Sequence, residues 1–199
     1  NIFEGNVGAG TGMTGFGWKG GIGTASRVCE SLLGTYTVGV LTLCNMGDPS
    51  DLRMAGVPIG EHLKPPGVSD ETGGSICFVI ATDAPVTARQ LNRMAKRAPI
   101  GLARSGGIIS HGSGSLALAF STSQERPQID DAHLASIFRG VVEATEESII
   151  NSILRAETLE GRDGNIRRSI PIDSLEKILE RYKTDISKTI HTENIDDIH

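Results

Sequence analysis

What is missing narrows the field first. No apolar run approaches membrane-spanning length, and no segment has the pattern of a secretory signal. Positive charge is short: 19 Lys and Arg stand against 24 Asp and Glu, a formal net charge of −5. That balance argues against a nucleic-acid or polyanion partner. The cysteines Cys29, Cys44 and Cys77 make an odd count, sit in apolar contexts and form no Cys-x-x-Cys. They read as buried, reduced thiols, and a cytoplasmic location is expected. Five histidines (His62, His111, His133, His191, His199) show no metal-ligand spacing, which speaks against a metallohydrolase, and no cofactor is expected. No Gly-x-x-x-x-Gly-Lys-Ser/Thr is present either. The 199 residues make one large domain or part of a bigger one. Asn1 in place of an initiating Met suggests a fragment or a processed product.

Glycine, by contrast, is abundant, with 25 in all. Residues 1–24 hold two formal Gly-x-Gly-x-x-Gly matches, at Gly10-Gly12-Gly15 and Gly15-Gly17-Gly20. Neither follows an apolar strand, and the glycines continue where a phosphate-binding helix would begin, so a dinucleotide site is rejected. Two readings remain: a flexible turn, which composition alone favours, or a loop whose bare backbone lies close to a catalytic centre.

Further along, β-formers predict strands over 22–31 and 35–44, the second ending in the turn Asn45-Met46-Gly47-Asp48-Pro49. Residues 47–74 read as loop. Asp83 to Thr87 cap a helix carrying Leu91, Met94, Ala95, Ala98 and Leu102, which Pro99 kinks or splits. A strand over 116–122 follows the glycine- and serine-rich segment from His111 to Ser115. The longest helix runs from Ala132 to about Glu157, and a short amphipathic helix spans 172–182. Residues 183–199 are polar and patternless, a loose tail. This order predicts an α/β layered fold, a sheet with helices packed outside it.

The chain is organised around Gly73-Gly74-Ser75-Ile76-Cys77-Phe78-Val79-Ile80, in which two glycines and a serine open a buried strand. A serine there is ordinarily a strand-edge residue. Gly-Gly, however, lets the backbone adopt the conformations that attack of Ser75 Oγ on the Gly74 carbonyl needs. Scission there would leave Ser75 with a hydroxyl nucleophile and a free α-amine. An α-amine, with a pKa of about 7.7–8.0, can be general base for its own hydroxyl. Asn45, polar at a strand end, is either a turn residue or an amide donor to an oxyanion.

Several motifs in order resemble the L-aminopeptidase/D-amidase family, which includes the β-peptidyl aminopeptidases. They are Glu4-Gly5-Asn6-Val7-Gly8 with Gly10-Thr11-Gly12-Met13, Lys19 to Arg27, Tyr36 to Leu41, Gly74-Ser75 and Ile80 to Pro85. Gly101 to Arg104, Leu118 to Thr122 and Gly161 to Asn165 complete the set. The resemblance implies a self-processing N-terminal-nucleophile hydrolase acting on small peptides or amides, assembled as a homo-oligomer. It implies cleavage at Gly74–Ser75, with Ser75 as nucleophile, Asn45 as oxyanion donor and Ser113 as a second active-site serine. Two residues beyond that serine the family carries Asp or Glu; here Ser115 stands instead. The implied fold is an α-β-β-α sandwich. Its N-terminal part is expected to be absent from this chain, carried by a separate chain or lost. The implied division is a hydrolase domain over 1–182, cut into 1–74 and 75–182, with a tail over 183–199. A catalytically silent structural or assembly subunit is the competing reading. A ligand-binding domain built on the glycine-rich loop stands behind both.

Overall fold

In the computed structural model, residues 2–68, 74–126 and 129–192 are described, with side chains through 184. A 3-10 turn over Gly8–Gly12 leads into the small hairpin β1 (Thr14–Gly15) and β2 (Trp18–Lys19). The β-branched run that follows makes a long antiparallel hairpin, β3 (Ile22–Ser31) with β4 (Gly34–Asn45). The segment beyond, read as loop, carries one turn of helix, α1 (Ile59–His62). Then come β5 (Ser75–Thr82), α2 (Ala88–Ala95), α3 (Ala98–Arg104), β6 (Leu116–Ser121) and the long α4 (Ala135–Leu154). A two-stranded ribbon, β7 (Leu159–Glu160) with β8 (Ile166–Arg167), precedes α5 (Ile172–Thr192).

The main sheet has the order β3-β4-β5-β6. Its first three strands are antiparallel, and β6 lies parallel to β5 after a crossover through α2 and α3. A parallel neighbour requires such a crossover, and helices that bury one face supply it. Thr87 starts α2 with a capping box, its hydroxyl accepting from the Gln90 N–H while the Gln90 side chain accepts from the Thr87 N–H. Pro99 splits the helical run, as its ring demands. It lands in the first turn of α3, where no N–H is needed.

One face of the sheet packs on α4. The helix lies against β3 and β4, and Val38, Val40, Ile76, Phe78 and Ile80 of the sheet share one buried core with Ile137, Val141, Ile149 and Ile153 of the helix. The apolar stripe is not the helix's whole buried surface. Gly140, Ala144, Ser148 and Ser152 recur every four residues and are buried too. They allow backbone to approach backbone: a Cβ on Gly23 would lie 1.8 Å from the Ser148 carbonyl oxygen. Arg93 and Arg97 stack over the Phe138 ring, which is how their stems find an apolar surface beside the helices.

Three expectations change. The strand at Ser75, read as buried, alternates instead: Ile76, Phe78 and Ile80 are buried, whereas Ser75, Cys77 and Val79 are half-buried on the other face. The register puts Leu41 and Leu43 of β4 and Leu116, Leu118 and Phe120 of β6 on that same face. It is apolar, and Leu116 and Leu118 are more than half exposed. A groove of about 340 Å³ runs along it between Thr24, Ser26, Leu41 and Val79. The helix expected to be the longest, α4, begins at Ala135 rather than Ala132, because the Asp130 carboxylate caps the Ala132 N–H of a separate 3-10 turn over Asp131–His133; its 20 residues are one fewer than those of α5. The last helix, expected to stop near Tyr182, continues to Thr192. Ile186 and Ile190 extend its spacing of four within a segment too polar to read by apolar content alone.

Candidate active site

The sheet delivers the singled-out residues to one rim. Asn45 is the last residue of β4 and Ser75 the first of β5, and the antiparallel register pairs them directly. Cross-strand partners point to the same face, so both side chains stand at the open-face edge. Gly74 makes that pairing possible: its φ is +119°, and a Cβ would fall 2.0 Å from the Asn45 carbonyl oxygen. Only glycine fits. Gly73, with the rest of 69–73, lies outside the described residues.

The turn before β6 closes over Ser75 from the other side. The Gly114 N–H donates to Ser75 Oγ at 2.8 Å. The hydroxyls of Ser113 and Ser115 pair at 2.7 Å, and Ser115 Oγ accepts the Ile76 N–H at 3.2 Å. Ser113 and Ser115 thus flank the backbone on which Ser75 sits. The position where the resemblance expects a carboxylate holds a neutral hydroxyl already engaged with β5. Asp83, one alternative source of charge, is at the far end of β5, where its Oδ1 accepts the Thr37 N–H. Glu71, the other, lies outside the described residues. His111 is exposed on the turn before Ser113.

The glycine-rich segment comes to the same rim. Asn45 Oδ1 accepts the Thr14 N–H at 3.3 Å, and residues 14–16 zip onto Met46 through two further backbone bonds, Met46 N–H to Thr14 O and Phe16 N–H to Met46 O. Thr14 and Gly114 therefore join the site, and neither shows in the sequence because each acts through its amide. Cys44 sits behind Asn45, and burial pushes its thiol up to about 11, so it is inert. Cys77, half-buried on the open face, forms no disulfide. Among the described residues no group of three His, Cys, Asp or Glu side chains is placed to hold a metal, and no helix is long and apolar enough to cross a membrane.

Chemically, the rim offers a hydroxyl on an exposed strand end, a backbone N–H bonded to its oxygen, and a side-chain amide across the strand. Its NH₂ end is without a partner among the described residues. Acyl transfer needs that combination of nucleophile and preorganised donors.

Comparison with known proteins identifies the family. The chain is 41% identical, over 203 residues, to the β-peptidyl aminopeptidase BapA of Sphingosinicella xenopeptidilytica, matching 89% of this chain and 50% of that protein. Among solved structures it resembles the PH0078 protein of Pyrococcus horikoshii OT3, with a TM-score of 0.82 and 47% identity over 92% of this chain and 53% of that one. It also resembles the L-aminopeptidase D-Ala-esterase/amidase of Ochrobactrum anthropi, described as a variant of the Ntn hydrolase fold. There the TM-score is 0.79 and the identity 36%, over 92% and 53% of the two chains. The chain thus spans about half the length of the relatives it matches. Residues 1–167 match the family profile itself, and the chain belongs to peptidase family S58.

Proposed function

We propose that this chain carries the nucleophile half of a self-processed serine aminopeptidase or amidase that removes N-terminal residues from small peptides or amides. The in-register pairing of Ser75 with Asn45 at the open rim, with the Gly114 N–H on Ser75 Oγ, carries this reading.

Ser75 Oγ attacks the Gly74 carbonyl, the Gly74–Ser75 C–N bond breaks, and an ester forms that water hydrolyses. The freed α-amine, with an ordinary pKa of about 7.7–8.0, then removes the Oγ proton when a substrate carbonyl is presented. Negative charge on the former carbonyl oxygen is met by the Asn45 NH₂, for which a donor must lie about 2.7–3.1 Å away. The protonated amine returns its proton to the leaving amine, and water releases the acyl group. Ser113, hydrogen-bonded to Ser115, lies beside the nucleophile's strand to hold the amine.

The apolar open face fits the rest of an α-β-β-α sandwich, in which a second sheet packs on the first. The half of the relatives' length that this chain does not match is the occupant we assign to it, on this polypeptide or another, and like units then assemble as a homo-oligomer. A second reading, a silent structural subunit, draws on Ser115: with no carboxylate there, nothing on the turn favours the charged amine.

Denaturing mass analysis with N-terminal sequencing distinguishes the two. Cleavage yields residues 1–74 and 75–199, the second beginning at Ser75. A single uncut species favours the silent subunit, and a new N-terminus anywhere else rules out this mechanism.

A further inference from the structure

Lys19 is the least exposed charged residue in the described molecule, at 1%. Its Nζ donates to the carbonyl oxygens of Met13 at 2.6 Å, Gly20 at 2.6 Å and Gly10 at 3.1 Å. An ammonium has three N–H donors, and here all three are used. A neutral amine has two, and its lone pair would face a carbonyl oxygen. The cage is therefore built for the cation.

One of the three carbonyls leads to the site. The Met13 C=O and the Thr14 N–H belong to one peptide group. The oxygen end of that group binds Lys19, and the N–H end binds Asn45 Oδ1 at 3.3 Å. A cation on the carbonyl polarises the peptide and strengthens its N–H as a donor, and aligned hydrogen bonds reinforce one another in this way. The Asn45 amide is next in line. Its Oδ1 is drawn to Thr14, so its NH₂ is both oriented and made a better donor.

Resting on the reading of Asn45 as the oxyanion donor, we propose that Lys19 is a positioning residue for the reaction, which holds and polarises the Asn45 amide through the Met13–Thr14 peptide. The chain of dipoles runs from the ammonium to the developing oxyanion, so the buried positive charge acts on the transition state without touching it. This also gives the glycines around it a purpose. A Cβ on Gly10 would fall 2.6 Å from the Gly5 carbonyl oxygen, and one on Gly20 2.8 Å from the Gly15 nitrogen. The bare backbone is what lets the carbonyls close on the ammonium.

The device has a pH signature. Burial with no counter-charge lowers the Lys19 pKa from 10.5 to about 8. The turn over Gly8–Gly12 and the hairpin Thr14–Lys19 bring no other titratable side chain. Glu4 is engaged with Thr24 and Arg155, Arg168 meets Lys19 through its backbone carbonyl, and the Cys44 thiol beneath stays protonated. Above pH 8 the relay loses its cation, so catalysis falls. Stability moves the other way. The unfolded chain holds this proton more tightly, so between pH 8 and 10.5 the contribution of Lys19 to folding rises. A purely structural lysine would not separate the two.

The test is made on the full chain labelled with ¹³C and ¹⁵N, and on Lys19→Met. We expect the Thr14 amide and Asn45 NH₂ signals to shift with the Lys19 Cε titration, near pH 8; in Lys19→Met the Thr14 signal should be flat and Asn45 should keep only the shift that the freed Ser75 α-amine, with a pKa of about 7.7–8.0, imposes across the strand pair. In hydrolysis of an amino-acyl p-nitroanilide, kcat should lose its high-pH limb in the variant and fall roughly tenfold or more. That stays below the about 10²–10³ that removal of an oxyanion donor produces. KM should hold, and in an Asn45→Ala background the same substitution should change kcat little. An equal loss in both backgrounds overturns the proposal, as do Thr14 and Asn45 signals indifferent to Lys19. If Lys19→Met does not fold, the titration of the unaltered chain decides alone. A chain inert at every pH even with the unmatched half of the relatives supplied sinks the proposed function, while the amide shifts still judge the relay.

Discussion

Ser115 takes the place of an expected carboxylate, yet its hydroxyl is occupied. It accepts from the Ile76 N–H and pairs with Ser113. A carboxylate there could keep both bonds, since it accepts from each donor, and would add a charge beside the amine freed at Ser75. Ser115→Asp or Ser115→Glu should therefore speed self-cleavage or p-nitroanilide hydrolysis, measured beside the unaltered chain. Unchanged rates in both variants would mean that charge at this position is not what limits the reaction. At this scale the sequence was legible where a polar side chain stands at a strand end, as with Ser75 and Asn45, which the register brings together. It was silent at Thr14 and Gly114, which contribute N–H groups any residue but proline carries. Lys19 entered the sequence reading only as the start of the motif Lys19 to Arg27, because carbonyl partners leave no mark in a sequence.

Elements were legible wherever a pattern repeats. The hairpin of β3 and β4 and the split at Pro99 follow from local propensity and geometry. The contact of α4 with β3 does not, because its determinant is smallness: Gly23 and Gly140 let the layers close, and apolar periodicity ignores glycine. Gly23 faces the Ser148 carbonyl, and Gly140 faces Cys29, whose Sγ would be 2.5 Å from a Cβ on that glycine. The Gly23→Ala methyl meets backbone rather than a flexible side-chain end, so the helix itself must move. Overpacking of this kind costs about 1–3 kcal/mol, which lowers Tm by several degrees for a domain of this size. Thermal unfolding of Gly23→Ala beside Gly12→Ala, where a Cβ meets nothing within 4 Å, would check it. Equal melting temperatures would show that α4 and β3 have room for the added methyl.

The molecule as a whole has one closed face and one open one. Helices cover the first. The second presents Leu41, Leu43, Val79, Leu116, Leu118 and Phe120 in register, and contiguous apolar surface of that kind marks an interface. The sequence read β5 as buried on both sides, because apolar residues on both faces look the same in sequence whether or not a second layer is present. If the unmatched half of the relatives supplies that layer, the chain on its own should bind a hydrophobic dye such as ANS and sediment as more than a monomer. Adding the unmatched half of the Sphingosinicella relative should displace the dye. Leu118 is 57% exposed, and burying a leucine is worth about 1.5–3 kcal/mol. Leu118→Asp forfeits that and buries a charge, so affinity for the added half should weaken by more than roughly tenfold. The same substitution lies away from α4 and should leave thermal stability of the isolated chain within about 0.5 kcal/mol. Binding unaffected by Leu118→Asp would place the partner elsewhere. A monomeric, dye-silent chain would mean that the open face is already covered from within.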